Sequence, residues 1–220
     1  VVNPQSLYDA EYFAAYGDDT KRQEMYQQEC QRLYDLVWGG GSILDIGCGL
    51  GDFLYTYDPG HICDWYGIEV SDHAREIAKQ RGVRFYWPDR PDKFDLIILR
   101  GSIQHLDKPL QMLHNAYAWL KPGGTIAFLA TPNSESIVYR LFSDLPALHP
   151  DYNYWIPGAR ELANVLKHIG FGDIETVYPY LNTPYAHPLR DAWRFLLRLI
   201  GVKQPFAWPE NMMEIYARKI

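Results

Sequence analysis

The 220-residue chain has only three cysteines, Cys30, Cys48 and Cys63, and no two of them form a CxxC pair. An odd, dispersed set excludes a disulfide framework and a Cys-rich zinc site. No apolar run approaches the roughly 20 residues that a bilayer-spanning helix needs. The opening VVNPQSLYDA has neither a basic start nor an apolar signal core, so a soluble, cytoplasmic protein is expected. Basic charge is scarce as well: 21 Lys and Arg against 27 Asp and Glu give a formal charge of -6. A sequence-independent grip on phosphates therefore lacks electrostatic support, and no nucleic-acid partner is expected. There is no GxSxG elbow to suggest a hydrolase. No set of His and carboxylates has metal-ligand spacing, so no metal is expected either. Internal repeats and low-complexity tracts are absent.

What is present is the mix of one soluble domain with a modest appendage, 47% hydrophobic and 22% charged. From Ser42 onward short apolar runs alternate with helical periodicity, the pattern of a parallel sheet covered by helices on both faces. Strands are expected at 42–46 (SILDI), 65–70 (WYGIEV), 83–87, 94–99 (FDLIIL) and 125–130 (TIAFLA). Leu110, Leu113, Tyr117 and Leu120 mark one helix, stopped by Lys121, Pro122, Gly123 and Gly124; Leu162, Val165, Leu166 and Ile169 mark another, capped by Gly170. Two further strands, 174–180 and 213–217, have no crossover unit between them, which predicts a final antiparallel edge strand. The fold class is thus α/β, a doubly wound and mostly parallel seven-stranded sheet.

Three segments fall outside this alternation. Residues 1–38 form a Tyr-rich helical cap that precedes the domain at 39–220 and is placed to fold over the carboxyl end of the sheet. Residues 133–158 read as a Pro-rich lid loop carrying Tyr152, Tyr154 and Trp155. Within a helical insertion at 184–209, residues 189–200 (LRDAWRFLLRLI) set Leu189, Trp193, Leu196, Leu197 and Ile200 against Arg190, Arg194 and Arg198. Packing on its own domain or on a partner subunit is the simpler use of such a helix, and peripheral contact with a membrane surface the alternative.

The stretch Ile43-Leu44-Asp45-Ile46-Gly47-Cys48-Gly49-Leu50-Gly51-Asp52 runs from an apolar strand through glycines at every second position into a helix. A ligand is expected at the carboxyl end of the sheet, near the switch in strand order. A dinucleotide fingerprint reads GxGxxG, whereas this loop is GxGxG. Asp45, two residues before the first glycine, would repel a diphosphate and suits a cationic ligand. Glu69, at the end of the second strand, is placed to accept both hydroxyl hydrogens of a ribose. A ribose, a cationic amine, a sulfonium and no phosphate together describe S-adenosylmethionine.

The pieces ILDIGCGLGDF, GIEVS, FDLIILRGSIQHLDKPLQML and LKPGGTIAFLATPN, in this order, resemble the class I S-adenosylmethionine-dependent methyltransferases over about residues 42–180, with the last strand near 215–218. The resemblance implies the Rossmann-like methyltransferase fold and S-adenosylmethionine as cofactor, leaving as S-adenosylhomocysteine. It also implies that Asp45 holds the methionine amine, while Gly47, Cys48, Gly49 and Gly51 present backbone to the methionine and ribose. Glu69 would bind the ribose hydroxyls, Val70 and Ser71 flank the adenine, Asp89 meet its amino group, and Arg100 and Gly101 face the methionine end. A surface salt bridge is the plain alternative for Arg100.

Methyl transfer from a sulfonium is an in-line displacement in which the protein chiefly aligns the reactants. A base helps only when the acceptor is a hydroxyl or a protonated amine. His105, just beyond the fourth strand, is the candidate catalytic base, with packing or capping as its other use. Its neighbour Gln104 stands where many similar sequences have Glu. Tyr12, Tyr16, Gln104, His149, Tyr152, Tyr154 and Trp155 are candidate substrate contacts that would enclose the acceptor; sealing the sheet end as plain core is the alternative for the aromatics. The expected partner is a small-molecule acceptor, with a hydroxyl of a sugar, surface-polysaccharide or secondary-metabolite intermediate first. Quinol or phenol O-methylation, N-methylation and a non-catalytic nucleoside-binding module are the other readings, and oligomeric state is open.

Overall fold

In a computed structural model of the chain, residues 8–14, 20–36, 41–85, 93–145, 148 and 153–220 are described. The elements run α1 (Ala10–Ala14), α2 (Thr20–Leu36), β1 (Ser42–Ile46), α3 (Asp52–Tyr57), β2 (Asp64–Ile68), α4 (Asp72–Gln80), β3 (Arg84–Phe85), β4 (Phe94–Arg100), a 3-10 turn (Ile103–His105), α5 (Pro109–Trp119), β5 (Leu120–Pro132), α6 (Ile137–Phe142), α7 (Ala159–Ile169), β6 (Phe171–Val177), α8 (Pro188–Leu199) and β7 (Met212–Lys219). The seven strands make one sheet in the order β3-β2-β1-β4-β5-β7-β6. All neighbours pair in parallel except β7, which is antiparallel to both β5 and β6.

Successive strand residues point to opposite faces, and the two buried clusters follow that alternation. Leu44, Ile46, Ile97, Leu99, Ile126 and Phe128 pack on one face against Leu113 and Ala116 of α5 and Leu162 and Leu166 of α7. Ile43, Leu96, Ile98, Ala127, Leu129 and Tyr216 pack on the other against Tyr26, Cys30 and Leu33 of α2, Phe53 and Leu54 of α3, and Ala78 of α4. Asp45 shares the parity of Ile43, so it points to the α2 side. The connections from β1 run outward through β2 to β3, and the chain then returns to β4 on the other flank of β1. The crevice between the carboxyl ends of β1 and β4 is therefore the switch point where such sheets bind ligands.

Four expectations are amended. The antiparallel last strand is not at the edge: β7 lies between β5 and β6, with Met213, Glu214, Ile215, Tyr216 and Ala217 all buried, as suits a strand covered on both faces and both flanks. Lys121–Gly124 does not delay β5, which starts at Leu120 and absorbs the turn as a bulge opposite Phe94–Leu96, with Gly123 at φ 78°. The third strand starts at Arg84, one residue later than expected, and is described to Phe85; residues 86–87 of the expected strand lie outside the described residues. Residues 133–158 are not all loop, because Ser136 caps α6 by accepting from the Tyr139 amide at 3.2 Å.

Candidate active site

The loop after β1 depends on its glycines for three different reasons. Gly47, Gly49 and Gly51 all have left-handed backbone, with φ of 81°, 52° and 80°. A Cβ on Gly47 would lie 2.7 Å from the Ser102 Cβ, one on Gly49 3.4 Å from the Phe13 ring, and one on Gly51 3.2 Å from Val83 and 3.5 Å from Ala78. Gly47 thus lets the loop pass the exit of β4, Gly49 lies beneath α1, and Gly51 serves close packing of α4. The amides of Gly47 and Cys48 donate to the Ile68 carbonyl at 2.7 and 3.3 Å, which ties the loop to the end of β2. The Cys48 side chain turns inward, where a Cβ on Gly67 would meet its Sγ at 2.6 Å. Burial pushes that thiol well above its ordinary pKa, so it serves as a small core residue and its backbone alone belongs to the loop.

Asp45 is 2% exposed, and its Oδ1 has no hydrogen-bond partner among the described residues. Burial pushes its pKa up to about 7, opposed by the nearby Arg100 guanidinium and reinforced by Glu69. Arg100 is itself committed: its Nε donates to Glu29 of α2 at 2.6 Å, and its guanidinium lies 4.3 Å from the Tyr26 ring centroid. Glu29 is fully buried. The Arg100 pair is therefore interior and fastens α2 to β4, which replaces the surface salt bridge read as its alternative. Arg32, one turn along α2, makes a second tie from helix to sheet, to Glu214 of β7.

Glu69 follows the last residue of β2. Its Oε2 accepts from the Gly49 amide at 2.9 Å, and its Oε1 accepts from the Val70 and Ser71 amides at 2.8 and 2.9 Å. A carboxylate accepts at about four lone-pair sites, so the group is oriented by backbone and retains capacity for a hydroxyl. Val70 is exposed beside it. Ser71 accepts from the Ala74 amide to cap α4 and donates to the Tyr8 carbonyl at 2.5 Å. The Tyr8 ring also lies edge-on to His105 at 6.3 Å, and Phe13 covers Gly49. Residues 8–14 therefore span the crevice from the end of β2 to the exit of β4.

Past β4, Gln104 decides what His105 can do. The Gln104 Nε2 donates to the Gly101 carbonyl at 3.0 Å, which fixes the amide orientation, and lies 3.2 Å from the His105 Nε2. An amide nitrogen has only hydrogens to offer, so the His105 Nε2 is the acceptor and the ring proton sits on Nδ1. For His105 to remove a proton through Nε2, Gln104 must first let go. The main-chain carbonyl of Gln104 accepts from the Tyr154 and Trp155 amides at 2.8 and 3.4 Å, which binds the lid to the same turn. Trp155 packs against the core and Tyr154 is exposed, so these two lid aromatics do not share one enclosing wall. Tyr12 is half-buried, edge-on to Tyr8 and Phe13, each at 5.1 Å. Asp89, Tyr16, His149 and Tyr152 lie outside the described residues.

Among the described residues, the buried polar atoms without a hydrogen-bond partner are Asp45 Oδ1, Ser102 Oγ, Gln104 Oε1, and both amide atoms of Asn153 and Asn211. Each such atom costs about 1–3 kcal/mol if left unpaired. Sequence reasoning missed Ser102, Asn153, Asn211 and Glu29. Only Glu29 left a signal, an acid at helical spacing among Met25, Tyr26, Cys30 and Leu33. A separate hollow of about 430 Å3 opens beside α2 and the end of β6, lined by Gln28, Arg32, Tyr178 and Tyr180 among others. Three strand spacings, about 14 Å, separate β6 from β4, so this hollow lies apart from the crevice. Among the described residues no cluster of His, Cys, Asp or Glu is placed to hold a metal ion.

A family model described as a methyltransferase domain matches residues 19–176. The chain is 27% identical over 189 residues to the tRNA U34 carboxymethyltransferase of Desulfotalea psychrophila, covering 78% of this chain and 58% of that protein. It is 28% identical over 154 residues to phosphoethanolamine N-methyltransferase 1 of Triticum aestivum, covering 61% of this chain and 29% of the relative. The chain thus spans less than two thirds of the length of both relatives. The fold resembles that of a SAM-dependent methyltransferase from Archaeoglobus fulgidus, with a TM-score of 0.64, 18% identity, and coverage of 96% of this chain and 100% of that one.

Proposed function

The chain belongs to the methyltransferase-domain family, and from that premise we propose that it transfers the methyl group of S-adenosylmethionine to a hydroxyl of a small, polar, uncharged acceptor, such as a sugar, a surface-polysaccharide or a secondary-metabolite intermediate. The observation that carries the cofactor reading is the buried, unpartnered Oδ1 of Asp45 at the carboxyl end of β1. A carboxyl in that state fits a cationic ammonium and not the diphosphate of a dinucleotide. Glu69, held by three backbone amides, supports a ribose contact, and the left-handed glycines at 47 and 49 leave no side chain between loop and ligand. When bound, the cofactor supplies a methyl group on a sulfonium, whose leaving group departs as a neutral thioether. What the chain adds is alignment and exclusion of water, for which the segment 8–14 across the crevice is placed.

The acceptor reading rests on the buried side-chain atoms that lack a partner among the described residues. Ser102, Gln104, Asn153 and Asn211 are all neutral, and Arg100, the guanidinium beside them in sequence, is already paired with Glu29. Neutral amides and a hydroxyl suit an acceptor rich in hydroxyls better than one carrying phosphate. The two relatives are named for different acceptor classes, which leaves that choice to the site itself. His105 serves as base through Nε2 only once Gln104 releases that nitrogen.

Isothermal titration of S-adenosylhomocysteine and of NAD tests the cofactor assignment. S-adenosylhomocysteine should bind, NAD should not, and Asp45→Asn should weaken the former by at least about tenfold, the scale of one lost charge-assisted contact. Tighter binding of NAD, or an Asp45→Asn variant that binds S-adenosylhomocysteine as the parent does, would overturn it.

A further inference from the structure

Helix α8 is amphipathic in the reverse sense to a helix of a water-soluble domain. Its apolar stripe faces outward: Leu189, Trp193, Leu196 and Ile200 follow one another at spacings of four, three and four residues and are 91%, 61%, 54% and 76% exposed. Its polar side faces inward. Asp191 is fully buried and accepts from the His187 amide at 2.7 Å and from the Tyr180 hydroxyl at 3.2 Å. Arg198 is bonded to Asp144 at 2.8 Å, and Arg194 to the Pro205 carbonyl at 2.6 Å. Phe195 packs among Phe142, Phe206 and Trp208. The helix does pack on its own domain, as the simpler expectation had it, but through Phe195 and not through its leucine stripe, and no partner subunit is present to test the other half of that expectation. The inner contacts are made by Phe195 and the arginines, and they leave the leucines and Trp193 outside.

Basic side chains predominate around the stripe among the described residues, the exposed acid Asp144 being bonded to Arg198. Asp191 is the only acid in residues 188–203, and it is buried. Arg190 and Lys203 are exposed beside the stripe, and Arg140 is exposed on α6, which packs on α8 through Phe142 and Phe195. Arg190 reaches its neighbour Asp191 only at 3.5 Å. We infer that α8 is an interfacial helix that docks this chain peripherally on a lipid surface carrying anionic headgroups. An apolar ridge with a tryptophan in it and basic side chains at its flanks is the shape and charge that such a surface complements. A second copy of the chain fits less well: a two-fold contact through this ridge brings Arg190 and Lys203 of each copy towards their equivalents, with no exposed acid from this segment to neutralise them. The inference stands apart from the methyl-transfer reading, since none of these residues belongs to the crevice.

Flotation of the whole protein with phosphatidylcholine vesicles, with and without about one quarter phosphatidylglycerol and at about 0.15 M salt, tests it. The parent protein should float with the mixed vesicles, and L196E/I200E should reduce the floated fraction at least tenfold. R140E/K203E should also cut binding to the mixed vesicles at least tenfold, at about fivefold for each basic charge lost near the surface. All four side chains are exposed, so each variant should melt and bind S-adenosylhomocysteine as the parent does, and loss of that ligand alone would count against the cofactor assignment and not against docking. The proposal is overturned if the parent stays at the bottom of the gradient with both vesicle types, or if L196E/I200E floats undiminished. It is also overturned if the parent dimerises in sedimentation equilibrium, L196E/I200E does not, and neither floats.

Discussion

Asp45 carries an unusual electrostatic load, and its consequences have a definite sign. Burial raises its pKa from 3.8 to about 7, so between those values the folded, cofactor-free chain holds a proton that the unfolded chain has lost. The folded state then binds more protons than the unfolded one. Its contribution to stability is full below about pH 4, falls as pH rises through that window, and is gone above about 7. An ammonium at Oδ1 favours the ionised form, so affinity for S-adenosylhomocysteine should rise with pH over the same window, by up to about tenfold per unit, and level off above neutrality. Asp45→Asn should flatten that profile and raise the melting temperature of the cofactor-free protein at about pH 8, because a buried charge has gone. Titration calorimetry and scanning calorimetry between about pH 5.5 and 8.5 check both arms, and a pH-independent affinity in the parent protein would remove Asp45 as the partner of the amine. His105 gives a second prediction at this scale. With the Gln104 Nε2 donating to both the Gly101 carbonyl and the ring, nitrogen NMR should find the Nδ1–H tautomer dominant, and Gln104→Leu should redistribute it. A dominant Nε2–H form in the parent would mean that the turn after β4 is arranged otherwise.

Helix α2 owes its position to two buried charges that its sequence half conceals. Met25, Tyr26, Cys30 and Leu33 give it an apolar face that anyone reading the sequence would bury, yet Glu29 lies on that face and is fully covered. Its partner Arg100 lies 71 residues away, so no local pattern pairs them; only the topology that sets β4 beside β1 does so. Removing one member of such a pair leaves the other buried without compensation. Glu29→Ala should therefore cost about 3–5 kcal/mol, a fall in melting temperature of roughly 6–20 °C for a chain of this size. Arg100, released, would turn its charge on Asp45, hold that carboxyl lower, and move the rise in S-adenosylhomocysteine affinity to lower pH. A loss below about 1 kcal/mol in the calorimeter would mean that water screens the pair. The glycine loop was far more legible, because the strand, the GxGxG spacing and Asp45 are contiguous. Even so, the sequence did not disclose that Gly51 faces α4 and that Cys48 turns inward. Those facts depend on Val83, Ala78 and Gly67, which reach the loop only after β2, α4 and β3 have folded back on it.

At the scale of the whole molecule, period and order foretold the sheet, because buried parallel strands advertise themselves as apolar runs. The insertion of β7 between β5 and β6 escaped, since residues 213–217 read alike for an edge and for a covered strand until their neighbours are known. Orientation escaped too: nothing in LRDAWRFLLRLI says which side of α8 the domain takes. Charge is the other global property, and it bears on the likeness to a relative named for acting on tRNA. Besides the formal charge of -6, the described arginines are largely spent inside the chain: Arg32 on Glu214, Arg81 on Asp52, Arg84 on Asp64, Arg100 on Glu29, Arg160 on Glu135 and Arg198 on Asp144. Phosphate contacts release counterions only where free cations meet them. Filter binding of a bulk tRNA mixture at about 0.15 M salt should therefore find no affinity tighter than about 100 μM, the weak end of non-specific binding. Anionic vesicles should nonetheless capture the protein, because there the few cations beside α8 act together with burial of its leucines and Trp193. Micromolar binding of tRNA with a steep salt dependence would instead place a polyanion surface on this chain, and would shift the acceptor reading from a neutral small molecule towards nucleic acid.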